Sequence, residues 1–423
     1  MNLIERRKRV LGQHVTTFYD TPFAPVRGEG VWLFDADRNR YLDCYNNVPH
    51  VGHCHPKVVD AIACQAATLN VHTRYVHDGV VEYGERLVAK FKHDISTMIM
   101  VNSGSEANDI ALRMAQAVTG KTGVIGTDNT YHGNTAAVSQ LNAKKVPVGG
   151  YADHVRQVPS PDNQRPIGGS QADQAAAFCA GVETAIAELE AAGHGISALI
   201  ICPYFANEGF PTLERGFMDR AISAVRRAGG LIIADEVQPG FGRIGSDWWG
   251  HEKLGFAPDI VTVGKPMANG HPVAAVLTRP EVLEAFQDVF KYFNTFGGNP
   301  VSAAAAMATL EVIEDEGLLD NARDVGAYAI AALNTLASTY DVIADVRGSG
   351  LFFGVELMRD GMPATDMSLK MVNEMRENGV LLSTVGRHEN TLKIRPPCVF
   401  SRDNADLLVE VMDSAFGKVL TNE

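Results

Sequence analysis

Residues 231–243 read LIIADEVQPGFGR, and residues 258–265 read PDIVTVGK. Each is a short apolar run, rich in strand formers, that ends in one ionisable residue. Leu231 to Ala234 deliver Asp235, and Ile260 to Val263 deliver Lys265. Both runs read as buried strands. In open α/β sheets, ligands sit beyond the carboxyl ends of the parallel strands. The pair therefore predicts an acid and a lysine at the ligand edge of one sheet. A lysine kept out of water there suits Schiff-base chemistry. Taken alone, Asp235 reads equally as a helix cap and Lys265 as a solvated strand end.

The flanking sequence repeats the alternation of strand and helix. Met98 to Val101 form an apolar run that enters NSGSEANDIALRMAQAV (102–118), a helical pattern. Ser103, Gly104 and Ser105 make the turn between them. Free backbone N–H groups, small residues, hydroxyls and the positive end of a helix dipole make this a candidate anion site. The plain alternative is a Ser N-cap with Glu106 in the first turn. No GxSxG or GK[ST] pattern accompanies it. The next strand, in TGVIGTDNTYHGN (122–134), leads to Tyr131, His132 and Gly133. Tyr131 reads either as a ring for stacking on a planar cofactor or as a core tyrosine. Residues 144–172 read as loop-rich, 173–193 and 216–228 as helices, and 196–210 as a strand and loop carrying Cys202, Asn207 and Glu208. Beyond Lys265, Thr295 with Gly297 and Gly298 forms a second candidate phosphate cradle, or simply a turn.

The two ends of the chain differ from the middle. Residues 1–20 read as a short polar helix followed by Phe18 and Tyr19; residues 31–45 read as a hairpin whose exit, Tyr45 to Asn47, could rim a site. HVGHCHP (50–56) superficially suggests zinc, but His53, Cys54 and His55 are consecutive and cannot easily converge on one tetrahedral ion. Pro56 instead starts a helix. Arg74 lies in a polar connection, as a surface arginine or an anion contact. From residue 318, a helix (319–339), the strands of VIADVRGSGLFFGVEL, a helix near 367–378, TLKIRPP (391–397) and a last helix read as an α+β unit. GSGLFFG lacks the helix a dinucleotide loop needs. The expected division is 1–55 and 316–423 in a small domain, with 56–315 as the large one.

The bulk properties narrow the function classes. The chain has 423 residues, 46% hydrophobic and 21% charged, with a formal net charge of -13. That acidity argues against nucleic-acid and anionic-membrane partners. Six scattered cysteines with no CxxC pairing suggest free thiols in a reducing compartment. No apolar h-region follows the basic start and no apolar run approaches a membrane span, so a soluble cytoplasmic protein is expected.

One cofactor, pyridoxal phosphate, draws the separate features together. It needs a lysine for its aldehyde, an acid for its ring nitrogen, a phosphate cup and an aromatic stack. Lys265, Asp235, Ser103-Gly104-Ser105 and Tyr131 supply them in turn. The motifs YLDCYNN, GHCHP, NSGSEAND, YHG, ADEVQPGFGR, GKP and NTFGGNP, in that order, resemble the class III aminotransferases over nearly the whole chain. The resemblance implies a fold type I transferase: a large α/β domain with a mostly parallel seven-stranded sheet flanked by helices, plus a smaller α+β domain. It implies Lys265 as the Schiff-base lysine, Asp235 at the ring nitrogen and Gln238 at the ring hydroxyl. Gly104 and Ser105 would bind the phosphate, and Tyr131 would stack on the ring beside His132. It also implies a homodimer with shared active sites, or a tetramer, in which Thr295 reaches the neighbouring cofactor.

Within the family, YLDCYNNVPHVGHCHP, the TRY and HDG segments near residue 74, and PDIVTVGKPM look most similar to the ethanolamine-phosphate phospho-lyase branch. Pro266 follows the lysine where transaminases usually carry glycine. Cys202 stands where the family usually has an acid, and the loop PYFANEGFPTLERG (203–216) departs from the usual glycine-rich form, which puts the substrate in question. Elimination would need cations for a leaving phosphate. Arg74, Lys393 and Arg395 are the candidates, each equally readable as a solvated or interface charge. Tyr19 and Asn46 are further candidate substrate contacts. The alternative is transfer of an amino group from an ω-amine or amino acid to a keto acid.

Overall fold

The computed structural model describes residues 2–142 and 146–421. The chain opens with helix α1 (Leu3–Leu11), then strands β1 (Arg27–Glu29), β2 (Trp32–Phe34) and β3 (Arg40–Asp43), and helices α2 (Pro56–Thr68) and α3 (Asp78–Val88). Next come β4 (Thr97–Val101), α4 (Gly104–Thr119), β5 (Gly123–Thr127), β6 (Val155–Val158), α5 (Gln174–Ala191), β7 (Ile196–Ile201), α6 (Asp219–Arg227) and β8 (Leu231–Asp235). The middle closes with α7 (Gly250–Leu254), β9 (Ile260–Val263), β10 (Ala274–Thr278), α8 (Pro280–Val289) and α9 (Pro300–Asp315).

These middle strands form one seven-stranded sheet in the order β4-β10-β9-β8-β7-β5-β6. β10 runs antiparallel to both its neighbours, and the pairs from β9 through β6 are parallel. Alternate residues face opposite helical layers. Leu199, Ile201, Ile232 and Ala234 join one core, whereas Ile200 and Ile233 join the core beneath α4. Burial on both faces is why these strands read as unbroken apolar runs. β8 and β9 are adjacent, with Asp235 opposite Thr262. The acid and the lysine loop therefore leave neighbouring strands at the same sheet edge.

The rest of the chain is α10 (Leu318–Ala337), β11 (Ile343–Ser349), β12 (Phe352–Arg359), β13 (Met362–Pro363), α11 (Thr365–Glu377), β14 (Val380–Leu381), β15 (Ser383–Val385), β16 (Thr391–Ile394) and α12 (Arg402–Thr421). β14 adds to the N-terminal strands as a parallel neighbour of β3, pairing Val380 with Leu42. Leu42 and Cys44 share a core with Phe353, Met371, Leu381 and Phe416. The two chain ends thus build one unit.

Some elements depart from expectation. The loop-rich stretch 144–172, of which residues 144 and 145 lie outside the described residues, contains the edge strand β6. Its sequence VRQV carries two polar residues, so no apolar pattern announces it. His53 bonds Asp43 at 2.7 Å and His55 bonds Glu316 at 3.0 Å, so the two histidines are turned to different acids.

A buried arginine closes the junction between the two units. Arg243 has no exposed surface. Its Nη1 donates to the carbonyls of Leu351 (3.0 Å) and Pro396 (2.6 Å), and its Nη2 donates to His50 Nδ1 (3.2 Å). His50 Nε2 in turn donates to the carbonyl of Phe241 at 2.8 Å. That tautomer is neutral. Burial, reinforced by the guanidinium, pushes the His50 pKa well below its usual 6.5. The unfolded chain takes up a proton near pH 6.5 that the folded chain refuses. This stability is complete above pH 6.5 and falls as pH drops toward the folded value, by at most about 1.4 kcal/mol per pH unit. Denaturant unfolding at pH 7.5 and 5.5 should show a shallower loss for His50→Gln than for the parent chain; equal losses would refute the assignment.

Candidate active site

Asp235 and Lys265 open onto one cavity of about 310 Å³, the lower end of small-molecule sites. Ser103, Gly104, Ser105, Tyr131, His132, Cys202 and Gln238 also line it.

The anion cup is built from the start of α4. Ser103 is the N-cap, and its hydroxyl accepts the N–H of Glu106 at 3.2 Å. Its side chain therefore caps the helix. The N–H groups of Gly104 and Ser105 fall in the first turn, where no intrahelical acceptor exists, and the positive helix end adds to them. The backbone approaches closely here. A Cβ on Gly104 would lie 2.9 Å from Val237 Cγ2, and one on Gly133 would lie 2.5 Å from Ser105 Oγ. Gly133 also has φ +142°, which side-chain-bearing residues avoid. Ser105 Oγ accepts the N–H of Asn134 at 3.1 Å, which ties the YHG turn to the cup.

Asp235 is 5% exposed and held on both oxygens. Oδ2 accepts His132 Nδ1 at 2.6 Å and Asn108 Nδ2 at 3.0 Å; Oδ1 accepts the N–H of Val237 at 3.0 Å. Thr262 donates to Asn108 Oδ1 at 2.6 Å, and Thr130 to His132 Nε2 at 3.0 Å. This network keeps a buried carboxylate aimed into the cavity, at a position where a ring nitrogen would meet it. Asn108 was not anticipated. The signal was a polar residue on the apolar stripe of α4, between Ala107, Ile110 and Ala111.

Lys265 starts a single 3-10 turn, with Pro266 next and φ +26°. Its side chain reaches the cavity through surrounding protein. Burial, and then the charge of Arg395, bring its pKa down to about 8, against the opposing pull of Asp235 and Cys202. A lysine poised there is neutral often enough near neutral pH to attack an aldehyde or take a proton.

Lys393 and Arg395 lie two residues apart and share a face. They are 4% and 6% exposed. Arg395 Nη1 donates to Gln238 Oε1 at 2.6 Å, and Lys393 Nζ to the same oxygen at 3.3 Å. Arg395 Nε also holds the carbonyl of Tyr45 at 2.8 Å. Both cations are thus buried beside the cavity, and Gln238, whose Nε2 donates to Asn207 Oδ1 at 3.5 Å, is held from both ends of its amide.

Other predicted residues lie elsewhere in the single chain. Tyr19 is in the core of the smaller unit, and its hydroxyl donates to the carbonyl of Leu382 at 3.2 Å. Its exposed neighbour Phe18 packs on Tyr45, with ring centroids 4.8 Å apart. The Asn46 side chain donates to Asp43 at 3.1 Å. Arg74 and Thr295 are exposed and outside the cavity. Arg74 lies 4.0 Å over the ring of Phe293, and Thr295 lines a surface groove with Tyr75 and Phe296.

The family model for "Aminotransferase class-III" matches residues 16–416. The chain belongs to this family. It is 42% identical over 419 residues to "Alanine--glyoxylate aminotransferase 2-like" of Drosophila melanogaster, covering 95% of this chain and 84% of that one. It is 36% identical over 431 residues to "Ethanolamine-phosphate phospho-lyase homolog 1" of Caenorhabditis elegans, covering 97% and 92%. Among solved structures, a phospholyase from Arthrobacter in complex with phosphoethanolamine shares 43% identity and a TM-score of 0.95, covering 98% and 99%. A Bacillus anthracis aminotransferase has the same fold, at 24% identity and a TM-score of 0.88 over 98% of each chain. Class III enzymes of this fold use pyridoxal phosphate. The residues present fit it: the glycine-walled cup suits a phosphate, and Asp235 and Lys265 suit the ring nitrogen and the aldehyde. The protein mixed with pyridoxal phosphate should gain an absorbance band that borohydride fixes covalently, and Lys265→Ala should not. The rate of that capture in the cofactor-free protein should rise with pH through an inflection near 8.

Proposed function

We propose that this chain is a pyridoxal-phosphate-dependent phospho-lyase that releases phosphate from a phosphorylated amine such as O-phosphoethanolamine, giving an aldehyde, ammonia and phosphate. The observation that carries the reading is the buried pair Lys393 and Arg395, which both donate to Gln238 in the cavity wall. It is supported by 43% identity to a phospholyase bound to phosphoethanolamine.

When bound, the cofactor supplies an electron sink conjugated to the substrate's amino-bearing carbon. Asp235, fixed by His132 and Asn108, would hold the proton on the ring nitrogen. Gln238 would meet the ring hydroxyl, Gly104 and Ser105 would bind the cofactor phosphate, and Tyr131 would stack on the ring. Lys265 takes the proton from the carbon bearing nitrogen. The C–O bond to the substrate phosphate then breaks, and its electron pair leaves with the phosphate. Lys393 and Arg395 stabilise that leaving anion by charge-assisted hydrogen bonds. Water then hydrolyses the released enamine to aldehyde and ammonia.

A homodimer completes the site in this reading. Arg74 and Thr295 occupy one exposed surface with Tyr75, Val76, Phe293 and Phe296, exposed by 65%, 97%, 39% and 70%. Apolar exposure of this kind is expected of an interface, from which the partner's Thr295 would reach the cofactor phosphate and the partner's Arg74 the substrate anion. Two such dimers could assemble further into a tetramer without changing the site. We assign residues 1–55 and 316–423 to a small domain and 56–315 to a large one. The six free cysteines support a cytoplasmic setting; the Arabidopsis thaliana and Homo sapiens relatives carry "mitochondrial" in their names. Among the described residues no helix is long and apolar enough to cross a membrane.

The name of the Drosophila relative favours a second reading, amino-group transfer to a keto acid. Incubation with O-phosphoethanolamine should release phosphate and acetaldehyde in equal amounts with no keto acid added. Absence of phosphate, with turnover of amine and keto-acid pairs, would decide for transfer. Lys393→Met should weaken the phosphorylated substrate by about 2 kcal/mol, the scale of a charged hydrogen bond, or roughly a 30-fold rise in KM.

A further inference from the structure

One histidine in the cavity wall has no part in the reaction as described. His271 lines the same cavity as Ser103, Gly104, Ser105 and Lys265. The sheet puts it there. β10 runs antiparallel between β4 and β9, with Ala274 opposite Val101 and Ala275 opposite Val263. The chain entering β10 therefore starts from the edge where β4 runs into the cup and β9 runs into Lys265. His271 lies in that entering segment, just ahead of Pro272 and Val273. The segment is tied down before it. Asn269 Nδ2 donates to the carbonyl of Gly52 at 2.8 Å, and its Oδ1 accepts the N–H of Val51 at 2.9 Å. The N–H of His271 itself donates to the carbonyl of Ala268 at 3.0 Å. Gly270, between them, has φ +104°, a conformation that glycine adopts freely and other residues avoid.

Hydrogen-bond accounting decides which ring nitrogen carries the proton. His271 Nε2 lies 3.0 Å from Ser302 Oγ. Asn299, the N-cap of α9, accepts the Ser302 N–H on Oδ1 at 2.9 Å. Its Nδ2 donates to the carbonyl of Phe296 at 2.6 Å and to Ser302 Oγ at 2.9 Å. The Ser302 oxygen is thus already an acceptor. Ser302 is 2% exposed, and a buried hydroxyl proton needs an acceptor of its own. Among the described residues that acceptor is His271 Nε2. The ring is then neutral, with its proton on Nδ1. Burial, which lowers its pKa from 6.5, favours the same state. Nδ1 has no hydrogen-bond partner among the described residues and, unlike the orphaned Nδ1 atoms of His55 and His77, is not enclosed. The other basic groups of the cavity are engaged: His132 Nδ1 is bonded to Asp235, and Lys265 is the group for the aldehyde.

We propose that His271 is a further anion-binding residue of the cup: its Nδ1–H donates to the cofactor phosphate that the N–H groups of Gly104 and Ser105 receive. The bond is assisted by charge on the acceptor side alone, so it leaves the charge balance around Lys265 unchanged. Ser302, and Asn299 behind it, hold the ring in the tautomer that presents this donor. The inference rests on the reading that the cofactor phosphate sits at the start of α4.

The test titrates cofactor-free protein at pH 8 with pyridoxal phosphate and, separately, with pyridoxal, following the absorbance band formed at Lys265. In His271→Phe the Kd for pyridoxal phosphate should rise about tenfold, the scale of one hydrogen bond to a charged group, while that for pyridoxal stays within about twofold. His271→Asn, whose amide can stand where Nδ1 stands, should bind pyridoxal phosphate nearly as the parent does. His271→Gln, whose amide reaches Ser302 in place of Nε2, should behave as His271→Phe. Rescue by Gln and not by Asn would make the Ser302 contact the one that matters and would overturn the proposal. Equal losses for both ligands, or none for either, would overturn it too. If His271→Phe does not fold, the Asn and Gln variants decide between them. A parent protein that binds pyridoxal as tightly as pyridoxal phosphate overturns the underlying reading of the cup instead.

Discussion

A carboxylate and an amine, buried within one cavity but not paired with each other, are the constraint that organises this protein. Each ion costs several kcal/mol to take out of water unless its surroundings compensate. Asp235 is compensated by three donors, from His132, Asn108 and the Val237 backbone. Lys265 is compensated less, and its pKa falls to about 8 as a result. The asymmetry is chemical: the acid is surrounded by donors, and the amine, less well compensated, is neutral more often than an exposed lysine would be. The parallel sheet makes this possible, because adjacent strands β8 and β9 end together and their loops emerge at a single edge.

Everything that meets this edge is held by buried polar contacts across units, not by apolar packing alone. Arg243, in the loop after β8, holds His50 through its ring nitrogen and the smaller unit through the carbonyls of Leu351 and Pro396. Arg395 links the Tyr45 carbonyl, at the exit of the N-terminal hairpin, to Gln238 in the loop after β8. Such contacts are directional, so the cavity keeps one geometry where greasy surfaces could slide. The same logic explains why so many left-handed residues, among them Phe205, Phe210, Phe241 and Lys265, gather at this side of the sheet. Strain tolerated at a site is enforced by what surrounds it.

Much of this was legible in the residues. The strands carrying Asp235 and Lys265, the strand-turn-helix at Ser103 to Ser105, the hairpin at residues 31–45 and the α+β character of the C-terminal third all show in local pattern. That works because a strand buried on both faces must be apolar throughout, and an anion cup must be small and sit at a helix start. Local pattern fails where polarity is resolved by distant partners. β6 is a polar edge strand, and Asn108 is a buried polar residue whose use depends on Asp235, 127 positions away. Ser103 reads as a cap or as a wall of the cup, and the fold gives it both places: its hydroxyl accepts the Glu106 N–H and it lines the cavity.

By itself, the sequence determined the fold class, the family and the cofactor chemistry, and it pointed to one acid and one lysine at a shared sheet edge, since each depends on residue type and spacing along one stretch of chain. Only the tertiary structure decided which charges converge. It turned Lys393 and Arg395 inward onto Gln238, sent Tyr19 into the core of the smaller unit, and left Arg74 and Thr295 together on an exposed face. The physical reason is that an ion's role follows from what replaces its water, and that is fixed by groups brought together from far apart in the chain.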